Sequence, residues 1–134
     1  MFSIKKNVMT AVFAHAAREL PHEACGYPAG KNSLICKHYE LTNMDKSAEH
    51  FSMDPKEEFT AVKDMRRLGL KLSGVYHSHP ATPARPSAED IRLAHDPDII
   101  YVIVSLAETK PSVSAFSIRG GEVTLEPIEI LEQA

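Results

Sequence analysis

The chain of 134 residues has no tryptophan, and its aromatic fraction is only 7%. That is too little for the aromatic platform on which single-stranded nucleic acids stack. It has no surplus of positive charge either. Fifteen Lys and Arg against eighteen Asp and Glu leave a net charge of −3 at neutral pH. A nucleic-acid binder needs a basic footprint, so that class is set aside. No apolar run approaches the roughly 20 residues that span a bilayer. Cysteine is scarce: Cys25 and Cys36 stand alone, and neither lies in a CxxC pair. This excludes a cysteine-rich zinc site, and nothing in the spacing supports a disulfide between the two. The two thiols read as reduced residues of a cytoplasmic protein. Internal repeats, low-complexity segments and linkers are also missing, so residues 1–134 read as one domain.

What is present is a globular balance, 43% hydrophobic and 25% charged, with seven histidines. Lys5 and Lys6 precede a short apolar stretch, and Ala14-His15-Ala16 has the look of a cleavage site. Asn7 and Thr10 interrupt that stretch, however. Met9, Val12, Phe13, Ala16 and Leu20 share one helical face, opposite Lys6, Thr10 and Arg18. The pattern predicts an amphipathic first helix that ends at Pro21. An irregular strand is expected over 23–29, a turn at Lys31-Asn32, a strand over 33–41 and a polar connection over 42–53. Asp54 then reads as an N-cap, with Pro55 at the first helical position and Glu57 completing a capping box. Phe59, Val62, Met65 and Leu68 give this second helix its apolar face, and Gly69 closes it. A strand over 72–76 runs straight into His77. A Pro- and Ala-rich loop and a short helix over 87–95 follow. Ile99 to Leu106 is almost wholly apolar, as expected of a central strand covered on both faces. Residues 112–118 and 122–130 read as a hairpin about Gly120-Gly121. This order of elements suggests an α/β or α+β layer fold.

The chemistry concentrates in residues 74–90, GVYHSHPATPARPSAED. His77 and His79 lie at i and i+2, so on a continuing strand both side chains point to one side. Asp90, on the first turn of the following helix, can bring a carboxylate to the same place. Two imidazoles and a carboxylate leave one position open, the pattern of a catalytic zinc rather than a structural one. The same donors would also suit a non-haem iron facial triad. A hydrolytic zinc needs a proton acceptor beside its water, and spacing alone does not choose among the remaining Glu and Asp. Taken singly, each piece has a bland reading. Ser87 and Asp90, for example, make an acceptable helix N-cap pair. Jointly, two His, one Pro, one Ser and one Asp at fixed spacing arise by chance at roughly one in a million per start position.

The pattern His77-Ser78-His79-Pro80, then Ser87 and Asp90, with Pro21-His22-Glu23-Ala24-Cys25-Gly26 upstream, resembles the JAMM (MPN+) metalloprotease motif. Similarity extends to Asn43 with Phe51-Ser52-Met53-Asp54-Pro55 and to Gly74-Val75-Tyr76. The resemblance covers about residues 4 to 118 and is nearest to the compact prokaryotic Mec-like group. It implies a mixed, curved β-sheet flanked by helices, similar to zinc deaminases. It further implies one catalytic Zn2+ on His77, His79 and Asp90. Glu23 would be the general base that activates the hydrolytic water and then protonates the leaving amine, and Ser87 the donor to the oxyanion. For Ser87, capping and catalysis would compete for one hydroxyl. The implied substrate is a small ubiquitin-like sulfur-carrier protein, cut after its C-terminal Gly-Gly to release an amino acid or short extension. The alternative is a non-catalytic MPN-type scaffold that binds a ubiquitin-like partner. A homodimer is left open. Cys25 reads as a packed thiol near the site, and Arg85 as a loop residue available to substrate. His15, His22, His38, His50 and His95 read as surface or satisfied structural residues.

Overall fold

The computed structural model describes residues 1–132. The elements run β1 (Phe2–Lys5), α1 (Lys6–Glu19), β2 (Cys25–Lys31), β3 (Leu34–Leu41), α2 (Pro55–Leu68), β4 (Lys71–Leu72) and β5 (Gly74–His79). They continue with α3 (Ala88–Leu93), β6 (Ile100–Ser105), β7 (Ser112–Arg119), β8 (Glu122–Glu126) and β9 (Ile128–Leu131). The strands form one mixed sheet in the order β8-β7-β6-β5-β2-β3-β1-β9, with β4 pairing β2 beside that path. β8 and β9 stand at opposite ends of this order, yet only Pro127 separates them in the chain. The two edges must therefore meet, and the sheet curls almost into a barrel. This is the mixed, curved sheet with flanking helices that the sequence implied.

β6 is the strand it promised to be. It lies between a parallel β5 and an antiparallel β7. Val102 and Val104 pack toward α1, in a cluster with Val8, Met9, Val12 and Tyr76. Ile103 points the other way and packs with Phe116, Ile118, Ile91 of α3 and Ala94, which caps that helix. α2 covers the same side further along, setting Ala61 and Met65 against Cys25, Tyr27 and Ala29. Each fully buried aliphatic side chain of this kind stabilises the fold by about 1.5–3 kcal/mol. The period-2 alternation thus sorts β5 as well. Tyr76 faces α1, while Val75, His77 and His79 face α2 and α3.

Several local expectations change. Phe2–Lys5, which the pattern did not set apart from the first helix, is a strand. Four residues carry little intrinsic signal, and this strand exists because β3 and β9 pair with it on either side. The stretch 122–130 is two strands, because Pro127 lacks the N–H that a continuous ladder needs. The second helix starts at Pro55 as expected, with Asp54 Oδ1 accepting from Lys56 N at 2.9 Å. Glu57, however, does not complete a capping box. Its carboxylate turns outward to accept from Thr42 N and Oγ1 at 2.7 and 2.8 Å. Gly69 ends the helix at φ 71°, a left-handed conformation that a side chain disfavours. On that helix Met65 is buried, but Phe59 is 64% exposed and Leu68 40% exposed. The packed stripe runs through Ala61 instead.

Candidate metal and hydrolytic site

Sheet register brings the site together. In the antiparallel pairing of β2 with β5, Cys25 stands opposite His77. Ala24 continues that register against Ser78. Ala24 N donates to Ser78 Oγ at 2.7 Å, and Ser78 N donates to Ala24 O at 3.0 Å. One step further places Glu23 beside His79, on the same side of the sheet. A carboxylate 54 to 56 residues upstream thus reaches the His pair because two strands share a ladder. Gly26 permits the close pairing. A Cβ there would run into the Tyr39 carbonyl oxygen and the Tyr76 ring.

His77 Nε2 and His79 Nε2 lie 3.2 Å apart, and each is 3.1 Å from Asp90 Oδ2. Among the described residues, this is the group of three His, Cys, Asp or Glu side chains whose donor atoms converge. Tetrahedral donors about 2.0–2.1 Å from one zinc ion are about 3.3 Å from each other. The observed triangle is within a few tenths of an ångström of that, so the residues fit the ion. His79 Nδ1 donates to the Pro83 carbonyl at 2.8 Å, which leaves Nε2 with its lone pair toward the triangle. His77 stacks against Phe51, with ring centroids 4.9 Å apart. Among the described residues two buried side-chain polar atoms have no partner, Glu23 Oε1 and His77 Nδ1. The unpartnered carboxylate oxygen is the mark of a group placed to meet something other than the protein.

The electrostatics follow the burial. Glu23 is 3% exposed, and desolvation pushes its carboxyl from an ordinary 4.5 up to about 8. Burial pushes Asp90 the same way. Hydrogen bonds from His77, His79 and Ser87 N outweigh it and hold that carboxyl well below the usual carboxylate range. His79 is depressed by burial, but its bonds to Asp90 and the Pro83 carbonyl raise it overall.

Ser87 is the N-cap of α3. Its Oγ accepts from Asp90 N at 3.0 Å, and its N–H donates to Asp90 Oδ2 at 2.9 Å. The expected competition within the hydroxyl therefore does not arise. The cap uses Ser87 Oγ as an acceptor, and its hydrogen stays free to be donated. Cys25 is fully buried, and desolvation raises its thiol to about 12, which marks an inert packed residue. Arg85 is exposed in the loop between β5 and α3. His15 is buried with its Nδ1 2.7 Å from Tyr76 Oη, a satisfied structural histidine. His50 contacts Asp45, and His38 contacts Glu40.

Beside His77 and Asp90 opens a cleft of about 420 Å3. Phe51, Met53, Val75, Leu93, Tyr101 and Ile103 give it apolar walls, and Glu58, Glu89 and Asp96 also line it. One support leaves no signal in the sequence: the Pro83 carbonyl is a backbone group. Ser78 lies inside the motif, where a hydrogen bond to a neighbouring strand is a natural reading, and the β2–β5 pairing supplies that bond from Ala24 N.

A family model described as prokaryotic homologs of the JAB domain matches residues 5–119. The chain belongs to this prokaryotic JAB family. The CysO-cysteine peptidase of Mycobacterium tuberculosis (strain H37Rv) is 35% identical over 133 residues, covering 97% of this chain and 91% of that protein. The solution structure of protein DSY2949 from Desulfitobacterium hafniense is 49% identical, with a TM-score of 0.92 over 99% of this chain and 94% of that one. The crystal structure of AF2198, a JAB1/MPN domain protein from Archaeoglobus fulgidus, is 21% identical with a TM-score of 0.64 over 98% of both chains, a likeness of fold.

Proposed function

We propose that this JAB-family chain is a zinc peptidase or isopeptidase. It hydrolyses the bond after the C-terminal Gly-Gly of a small ubiquitin-like sulfur-carrier protein and releases an amino acid or short extension. The observation that carries the reading is the buried Glu23 carboxylate, with its Oε1 unpartnered. Strand register sets it beside His79, and it interacts electrostatically with His79 and Asp90 of the His77–His79–Asp90 triangle. Peptidase action on a carrier conjugate is supported by the likeness to the CysO-cysteine peptidase.

His77 Nε2, His79 Nε2 and Asp90 Oδ2 would hold zinc, which supplies Lewis acidity toward the scissile carbonyl and the attacking water. Glu23 takes the water's proton on its carboxylate and returns it to the leaving nitrogen. A carboxyl raised by burial toward neutrality suits both halves of that task. Ser87 donates its free hydroxyl hydrogen to the carbonyl oxygen as negative charge develops there. Such a donor contributes roughly 3 kcal/mol to the transition state. Two glycines before the bond let the substrate backbone come close to these groups without side-chain clashes. The two free thiols, Cys25 and Cys36, suit a cytoplasmic setting.

The test is metal analysis of the purified protein together with cleavage of a carrier–Gly-Gly–X conjugate by wild type and Glu23→Gln. The expected result is about one zinc per chain, and a fall in kcat of at least about 100-fold in the variant with zinc retained. A protein without bound zinc, or a variant that cleaves at the wild-type rate, would sink the reading.

A further inference from the structure

Glu23 lies two residues before β2 begins at Cys25, one step past the last ladder bonds between Ala24 and Ser78. Its backbone is held instead by the connection between β3 and α2. Glu23 N donates to Ser47 O at 2.8 Å, and Glu23 O accepts from Asn43 Nδ2 at 3.0 Å. Asn43 is a polar residue only 3% exposed. Its amide nitrogen also donates to His50 O at 3.1 Å and Ser47 O at 3.4 Å. Its Oδ1 accepts from Asp45 N at 3.0 Å and Ser52 N at 3.4 Å. One side chain therefore gathers the whole 43–52 segment around itself and ties that segment to the Glu23 peptide. The same segment carries Phe51 onto the His77 ring.

We propose that Asn43 is a positioning residue for Glu23. Its carboxamide is the cross-brace that aims the Glu23 carboxylate at the bond being cut. This rests on the reading of Glu23 as the proton acceptor. Asn43 is bonded to none of His77, His79 and Asp90, so losing it leaves zinc uptake alone. Substrate affinity also stays, because Asn43 is itself buried and is not among the residues that line the cleft. What is lost is alignment. A shift of about 1 Å in a catalytic group lowers turnover by roughly 100-fold.

The experiment compares Asn43→Ala and Asn43→Asp with wild type and Glu23→Gln on one carrier–Gly-Gly–X conjugate. Zinc content is measured for each. Asn43→Asp keeps the volume and the acceptor oxygen but removes the donor to Glu23 O. Both variants are expected to hold stoichiometric zinc, keep KM within about threefold, and lose about 10- to 100-fold in kcat. The double variant Glu23→Gln/Asn43→Ala, in single turnover at high enzyme concentration, is expected to be no slower than Glu23→Gln alone, since Asn43 acts through Glu23. Wild-type kcat in both Asn43 variants would overturn the proposal. So would a kcat loss that adds fully to that of Glu23→Gln, or failure of both variants to fold, either of which would make Asn43 a residue of the fold alone. Wild-type turnover in Glu23→Gln would instead remove the functional reading beneath it.

Discussion

Burying Glu23 carries a cost that varies with pH, and the zinc-free protein should display it. The unfolded carboxyl titrates at its ordinary 4.5 and the folded one at about 8. Below 4.5 both states hold the proton, and burial of the neutral acid carries no charge penalty. Between the two values the folded state keeps a proton that the unfolded state has released. Stability then falls by about 1.4 kcal/mol for each pH unit, and above 8 the accumulated loss is constant at roughly 4–5 kcal/mol. Glu23→Gln removes this titration, together with the minor contribution that the Glu23 charge makes to raising His79. Glutamine brings its own offset, which does not vary with pH. The measurement is therefore the change in the difference. Relative to wild type, the variant is expected to gain about 3 kcal/mol between pH 5.5 and pH 8. In urea unfolding with a chelator present, that is a relative midpoint shift of about 1–3 M, read by far-UV circular dichroism. The substitution proposed to stop catalysis would thus gain stability relative to wild type as the empty protein is taken to alkaline pH. Stability curves that stay parallel within about 0.5 kcal/mol over this range would refute the reasoning, and Glu23 would then have to reach water or a partner.

Two further outcomes test the neighbouring parts. Ser87→Ala removes both uses of one hydroxyl. It should lower kcat by about 100-fold or more with KM nearly unchanged, and lower unfolding stability by about 1 kcal/mol through the lost cap. A stability loss with normal turnover would leave Ser87 as a cap only. Gly26→Ala forces a methyl group against the Tyr39 carbonyl and the Tyr76 ring. It should cost about 2–3 kcal/mol and lower the melting temperature by about 6–10 °C, so an unchanged melt would mean that β2 and β5 do not pair this closely.

What could be read from the sequence was whatever depends on neighbours along the chain. Asp54, Pro55 and Gly69 marked the second helix because capping is local chemistry. Ile99 to Leu106 announced a central strand because both its faces are apolar. His77, His79 and Asp90 were legible because strand alternation and a helix first turn fix their relative directions within fourteen residues. The features that stayed hidden depend on partners far away. β1 is a strand because of β3 and β9. Glu57 looks like a capping residue until Thr42 competes for it. Phe59 and Leu68 match a helical stripe but rotate off the packed face. Glu23 was assigned through family likeness, and the β2–β5 register now gives the physical reason. Asn43 was noticed as part of a similar segment, while its cross-bracing required five contacts that no spacing encodes.

The meeting of the two sheet edges at Pro127 also bears on how the molecule is made. Among the strands of this sheet β1 leaves the ribosome first, and β9, its parallel neighbour, last. Until Ile128 to Leu131 emerge, the outer edge of β1 stands open while the strands around His77 can already pair. Completion of the curl is therefore a late, long-range event. Such closure is expected to be slow compared with the helices and hairpins it joins. A nascent chain stalled before Ile128 would present an unpaired strand edge, which is a template for association with other chains.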